Sequence, residues 1–281
     1  MPPLYDAHNH LQDDWLKPHL PQVARELSAI GLHRAVVNGT CEQDWPIVAE
    51  LAQRHAWIVP SFGLHPWDAG NRSADWLATL RAHLETHPHA AIGEIGLDRW
   101  ILDSAKPDDP RLSGLRRAPL EEQGEVFLKQ LALACSENRP VTIHCLQAFG
   151  ALDGLLKHIN TPERGFLLHA YGGPAEMVAK FAERGAYFSF NGSFLGERQA
   201  AKREAFRRVP TDRLLVETDA PAMPLPPSYE RFQLPPTSDG SRVNHPANLI
   251  VTYEGLAEIR GVSVEALAAQ VAENFERFFS R

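Results

Sequence analysis

Short apolar runs rich in β-branched and aromatic residues recur along the chain at 5–8, 35–38, 58–63, 91–95, 141–144, 166–169, 187–190 and 214–217. Between them lie longer segments with the period of an amphipathic helix, among them 74–85, 120–138, 175–184 and 199–208. Strands that alternate with helices imply parallel βαβ units, and eight such units match an α/β fold of the (β/α)8 TIM barrel type. No linker divides the chain, so 1–281 reads as one barrel domain. An open doubly wound sheet is the alternative, but it normally carries a glycine-rich phosphate turn after its first strand, and none follows here.

Two stretches break the rhythm. Residues 103–119 and the proline-rich 221–245 have no periodicity and read as extended loops after strands four and eight. Both leave the carboxyl ends of strands, the face where barrel enzymes keep their sites. Met223, Tyr229 and Phe232 are candidate lid contacts on the second loop. The last amphipathic segment, 262–279, is a helix with Ser263 as its expected N-cap.

Composition narrows the class. Of 281 residues, 44% are hydrophobic and 22% charged, the balance of an ordinary soluble enzyme. A net charge of −7 argues against a protein that simply coats nucleic acid. It leaves room for an enzyme that meets phosphate through bound cations. Three unevenly spaced cysteines argue against a disulfide framework. With no secretory signal and no apolar run long enough to span a membrane, a cytoplasmic protein without an obligate protein partner is expected.

The candidate chemistry lies at the strand ends. His8 and His10 share one face of the first strand, because side chains two apart on a strand point the same way. His144 ends strand five, His169 ends strand six, Glu94 lies on strand four and Asp219 just follows strand eight. Singly each has an ordinary explanation: a satisfied core histidine, a buried carboxylate, a turn aspartate. Jointly they do not, because an ionisable group on a buried strand is costly unless paired or ligating. Six such groups occur at strand ends, with hardly any expected elsewhere in those strands. Imidazoles and carboxylates suit zinc, manganese, nickel or iron. Six ligands exceed the need of one four-coordinate ion, so two divalent metal ions are expected.

At this point the sequence resembles the TatD-type metal-dependent deoxyribonucleases, within the wider amidohydrolase-like barrels. The resemblance spans nearly the whole chain. It rests on Asp6-Ala7-His8-Asn9-His10, Phe62-Gly63-Leu64-His65-Pro66-Trp67, Gly93-Glu94-Ile95-Gly96-Leu97-Asp98, Pro140-Val141-Thr142-Ile143-His144-Cys145, His169-Ala170-Tyr171-Gly172-Gly173, Glu217-Thr218-Asp219-Ala220-Pro221 and Asn274-Phe275-Glu276-Arg277-Phe278-Phe279. The resemblance implies that His8, His10, Glu94 and Asp219 hold one ion, that Glu94, His144 and His169 hold the other, and that Glu94 bridges. It also implies that His65 touches the substrate phosphate and that Asp98 acts only from behind the ligands. Removal of nucleotides from DNA ends is the implied activity, and magnesium or another divalent ion the implied cofactor. The sequence departs from the family pattern at Arg99-Trp100 and in the length of the two loops, which bears on the substrate more than on the metals.

The expected reaction is hydrolysis of a phosphodiester by a metal-bound hydroxide, with Asp219 and Glu94 as catalytic residues, Asp219 taking the proton of the attacking water. The alternative is hydrolysis of a small-molecule amide, ester or lactone at the same centre. A metal-stabilised scaffold without activity is disfavoured by the size of the ligand set. Arg111, Arg116 and Arg117 are candidate phosphate contacts, and Trp67, Trp100, Tyr171 and Phe194 candidate stacking surfaces for bases. Lys202, Arg203, Arg207 and Arg208 are expected on the solvated face of one helix, and Cys145 on the helix-facing side of its strand.

Overall fold

Each apolar run forms a strand: β1 (Leu4–Asn9), β2 (Leu32–Asn38), β3 (Ile58–Phe62), β4 (Ala91–Asp98), β5 (Val141–Leu146), β6 (Phe166–Leu168), β7 (Ala186–Asn191) and β8 (Leu214–Glu217). The computed structural model describes residues 2–280, and in it these strands pair in parallel, in chain order, as one eight-stranded sheet. Among the described residues no regular ladder joins β8 to β1. The seam is instead closed just beyond the strands, where the Asp219 amide donates to the His8 carbonyl at 2.9 Å and the His10 amide donates to the Ala220 carbonyl at 2.8 Å. The result is a nearly closed (β/α)8 barrel whose last closing contacts are made by residues of the candidate site.

The helices in chain order are α1 (Leu20–Ala29), α2 (Trp45–Arg54), α3 (Trp76–Thr86), α4 (Trp100–Asp103), α5 (Leu120–Glu137), α6 (Phe149–Leu156), α7 (Met177–Glu183), α8 (Ala200–Arg208), α9 (Leu249–Arg260) and α10 (Val264–Phe279). Ser263 caps α10 as expected, its hydroxyl accepting from the Ala266 amide. None of these helices is long and apolar enough to cross a membrane. The hydrophobic core lies between barrel and helices, for example where Phe190 and Phe206 meet edge to face at 5.0 Å. Phe275 and Phe278 of α10 pack on Tyr5 and Tyr187, each pair 4.7 Å apart.

Inside the barrel the chain is polar. Asp6, Asn38, Ser61, Thr142, Ser189 and Glu217 are all buried. Three of them crowd Gly93: a Cβ there would lie 2.8 Å from Thr142, 3.0 Å from Ser61 and 3.1 Å from Asn38. Gly96 is constrained differently, with φ +148° and its α-carbon against the His144 carbonyl, 1.9 Å from where a Cβ would stand. Glycine at both positions lets β4 run close to β5 and present Glu94 at the barrel mouth.

The two long loops are packed rather than free. In 103–119, Leu112 and Ala118 are buried, and the Arg117 guanidinium donates to the carbonyls of Ile101, Ala105 and Lys106. In 221–245, Leu225, Val243 and Asn244 are buried, and the Phe232 ring lies 5.5 Å from that of the buried His245. Phe232 is therefore an anchor of its loop and not a lid contact, while Tyr229 is exposed.

The C-terminal motif has a mechanical role. Asn274 is fully buried and donates to the carbonyls of Thr211 and Leu214, both at 2.8 Å, fixing α10 to the start of β8. Replacing it leaves two carbonyls without that donor, at a typical cost of about 1–3 kcal/mol for a buried group left unsatisfied. Asn274→Ala is expected to shift the chemical denaturation midpoint down by that equivalent, with metal binding retained; an unchanged midpoint would show that the bonds contribute nothing net.

Candidate metal centre

All six residues picked out at the strand ends meet at the carboxyl mouth of the barrel. His8 Nε2 and His10 Nε2 are 3.1 Å apart. Each lies 3.3 Å from Glu94 Oε2, and they lie 3.4 and 3.3 Å from Asp219 Oδ1. Donor atoms about 2.0–2.1 Å from an ion at tetrahedral corners are about 3.3–3.4 Å apart, close to the spacings among His8, His10 and Asp219 and from the two histidines to Glu94. The other oxygen of Glu94 faces a second group. Glu94 Oε1 lies 2.8 Å from His144 Nδ1 and 2.7 Å from His169 Nε2, which are themselves 3.3 Å apart. The donor set thus fits divalent metal, with one carboxylate shared between two clusters of nitrogens.

His65 also reaches this place, its Nε2 3.5 Å from Glu94 Oε1. On distance alone it could complete a group with Glu94 and His144. Its hydrogen bonding points elsewhere. The Trp67 amide donates to His65 Nδ1 at 3.2 Å, which makes Nδ1 the acceptor and puts the proton of the neutral ring on Nε2. Burial lowers the His65 pKa and favours that neutral form. In that form the inward nitrogen faces Glu94 as a donor.

A second row of groups orients the first, as expected of metal-binding histidines. His10 Nδ1 lies 2.8 Å from the Asn38 carbonyl, an acceptor only, so Nδ1 holds the proton and Nε2 presents its lone pair. His144 Nε2 lies 3.1 Å from Asp98 Oδ2, and His169 Nδ1 faces Glu217 Oε1 at 3.7 Å. Asp6 accepts from the His8 amide at 3.2 Å and from the Thr218 hydroxyl at 2.6 Å, coupling the β1 end to the β8 end. Asp6 and Glu217 correct the sequence reading, in which strand interiors were expected to hold hardly any ionisable groups. Asp6, two residues before His8, carried a signal in the alternation of the strand itself; Glu217 had none beyond its neighbourhood to Asp219.

The electrostatics are those of buried charge held by its neighbours. Burial alone would raise Glu94, only 3% exposed, but the facing His169, His65 and His8 outweigh it and hold the carboxyl well below its usual range. Burial likewise opposes the charge on His144, yet its bonds to Asp98 and Glu94 raise it to about 9. His10 and His169 are raised for the same reason, by Asp219 and Glu94 and by Glu94 and Glu217. A divalent cation supplies the positive charge these protons supply, and would displace them on binding.

Several softer expectations are corrected. Tyr171 and Phe194 are fully buried in aromatic packing and offer no face to a base. Arg116 pairs with Glu122 at 2.6 Å and donates to the Gly70 carbonyl, and Arg117 is consumed by backbone carbonyls, so neither is free for phosphate. On α8, Arg207 and Arg208 are exposed as expected, but Arg203 donates to the carbonyls of Phe194 and Gly196 and the Lys202 ammonium sits 4.5 Å over the Phe194 ring. Cys145 is packed against the core, and burial raises its thiol pKa, which leaves it a poor nucleophile.

Comparisons with known proteins agree with this geometry. The TatD related DNase family matches residues 5–280. A metal-dependent hydrolase of Bacillus subtilis, YabD, is 29% identical over 98% of each chain. A protein of Erwinia amylovora named 3'-5' ssDNA/RNA exonuclease TatD is 33% identical over 92% of each chain. Among solved structures, the TatD homologue YjjV of Escherichia coli superposes with a TM-score of 0.83 at 25% identity, covering 99% of this chain and 98% of its own.

The shared carboxylate makes a distinctive forecast. Glu94→Gln keeps the shape and removes the charge that faces both nitrogen clusters, so metal uptake should weaken throughout, whereas His10→Ala should weaken one part of it. Asp98→Asn, behind His144, should lower affinity by the about 10–100-fold typical of such supporting groups. Calorimetric titration with Zn²⁺ or Mn²⁺, alongside elemental analysis, reads all three; full uptake by Glu94→Gln would remove Glu94 from the centre.

Proposed function

The chain belongs to the TatD related DNase family of metal-dependent hydrolases, and from that membership we propose that it is a binuclear phosphodiesterase acting on the ends of single-stranded nucleic acid. The observation that carries the proposal is Glu94, whose two oxygens face separate clusters of candidate ligands. We assign His8, His10, Glu94 and Asp219 to one divalent ion and Glu94, His144 and His169 to a second. The polarity and strand preference come from the Erwinia amylovora relative, named as a 3'-5' exonuclease on single-stranded DNA and RNA.

Bound divalent ions supply Lewis acidity to phosphate oxygens and lower the pKa of water towards neutrality. The remaining work falls to side chains. Asp219 orients the attacking water and accepts its proton. Burial would raise its pKa, but contacts with His10 and His8 hold the carboxylate ionised, and its amide is fixed on the His8 carbonyl. Water oxygen bonds to phosphorus, the bond from phosphorus to the leaving sugar oxygen breaks, and that oxygen departs with the proton Asp219 took from the water. His65 donates its Nε2 hydrogen to a non-bridging phosphate oxygen. Glu94 keeps both clusters in register, and Asp98 and Glu217 hold His144 and His169 in place.

The test sets labelled single strands, labelled duplexes and generic ester, amide and lactone substrates before the metal-loaded protein. Stepwise nucleotide release from the 3' end of single strands, weakening as salt rises, is the expected result, since binding to a polyanion depends on salt. Chelation should abolish it and a divalent ion restore it. Faster turnover of a neutral ester or lactone, insensitive to salt, would replace this reading with the small-molecule one. Asp219→Asn retains one oxygen for the metal and loses its basicity. Its kcat should fall about 10²–10⁴-fold, the usual contribution of a general base, with KM changed far less. A kcat near that of the wild type would take Asp219 out of the proton transfer.

A further inference from the structure

Large apolar side chains are exposed at the carboxyl face beyond what the core requires. Trp15 follows β1, Leu146 ends β5 and Tyr229 lies in the segment after β8, with exposures of 46%, 39% and 41%. Among the described residues only Val262, between α9 and α10, is a comparably exposed large hydrophobic elsewhere.

Within this face one group is built. Trp67 comes from the connection after β3, and Trp100 opens α4 after β4. Their rings are stacked 5.9 Å apart and 22° from parallel. The Arg111 guanidinium, from the long loop, lies 4.9 Å from the Trp100 ring and 5.8 Å from the Trp67 ring. Both indoles are half-buried, yet neither joins the hydrophobic core, which does take in the half-buried Trp57. The group is rigid. Trp67 Nε1 donates to Asp98 Oδ2 at 2.6 Å, and the same oxygen meets His144 Nε2 at 3.1 Å. Arg111 is clamped on Asp109 through Nε at 2.9 Å and Nη2 at 2.6 Å, which leaves Nη1 with no partner among the described residues. An aromatic stack topped by a guanidinium thus stands one carboxylate away from a candidate metal ligand.

We propose that the Trp67, Trp100 and Arg111 stack is a nucleobase site, taking a base of the strand whose phosphate lies at the metal centre. This rests on the phosphodiesterase reading and names the part of the substrate that the metals do not hold. A flat base covers indole surface on entering, and Nη1 of Arg111 meets a backbone phosphate oxygen. Every base has a π-face, so such a site accepts strands of any sequence. A base paired and stacked in a duplex must first leave its neighbours, so the site favours single strands.

The test compares an oligothymidylate with the same strand carrying abasic residues over its 3' end, on the metal-loaded wild type and on Trp100→Ala, Trp100→Phe and Arg111→Ala. Binding is read by fluorescence anisotropy and hydrolysis by nucleotide release. The wild type should bind the base-bearing strand more tightly. Trp100→Ala should weaken that strand about 5–150-fold, the equivalent of about 1–3 kcal/mol per stacked base, and leave the abasic strand unchanged. Trp100→Phe should recover most of the loss. Equal binding of the two strands by the wild type, a comparison that needs no variant, overturns the proposal; so does an equal loss for both in Trp100→Ala, which would make the stack a brace. A strand held through its bases but not hydrolysed overturns the phosphodiesterase reading and leaves the base site standing, while hydrolysis indifferent to the abasic change does the reverse.

Discussion

A carboxylate buried at the mouth of a barrel must be answered by positive charge, and most of the site follows from how Glu94 is answered. An isolated ionised carboxylate in a low-dielectric interior is unfavourable by far more than a protein's net stability. Glu94 escapes this because four strands deliver imidazoles to it from different directions, His8 from β1, His144 from β5, His169 just past β6 and His65 from beyond β3. A parallel barrel is suited to the task, since all strand ends of one polarity converge on one rim. The close approach at Gly93 and Gly96 is part of the same solution, for it brings β4 near enough to β5 for Glu94 and His144 to touch.

The imidazoles need answering in turn. Behind them stand Asp98 and Glu217, buried and tied to neighbours, Asp98 to Trp67 and Glu217 to Ser189. Charge therefore alternates outward from Glu94, from carboxylate to imidazole to carboxylate. The centre carries more acid than a pair of histidine clusters would demand, and the whole chain is at −7. Such a rim draws cations before it can draw a polyanion. Only with divalent ions in place does the local sign invert, so that metal binding is a precondition for meeting phosphate and not merely an aid to hydrolysis.

The strands and the six strand-end residues were legible because both rest on local rules: β-branched runs bounded by turns, and the cost of an ionisable group on a buried strand. His8 and His10 needed nothing beyond the period of two. Errors arose wherever a side chain chose among partners that spacing does not reveal. Arg116 found Glu122 in the next helix, Arg203 found carbonyls of its own preceding loop, and Tyr171 and Phe194 turned inward to the aromatic core. The alternation of β1 marks Asp6 but not its work, because its partner Thr218 reaches it only when β1 and β8 meet. The polar barrel interior was missed for the same reason: alternation identifies two faces of a strand but does not say which one lines the barrel.

The loop after β4 is fixed by its own charged side chains. Arg116 and Arg117 spend their donors on fixing that loop to Gly70, Glu122 and the carbonyls around α4. They are lost as phosphate contacts, but in exchange Arg111 is held at a defined height over Trp67 and Trp100. Asp98 then joins the two regions, accepting from the Trp67 indole on one side and meeting His144 on the other. A change in the loop can move the indoles while the glycine-lined strands keep Glu94 in place. The aromatic stack and the candidate metal ligands thus meet at a single carboxylate.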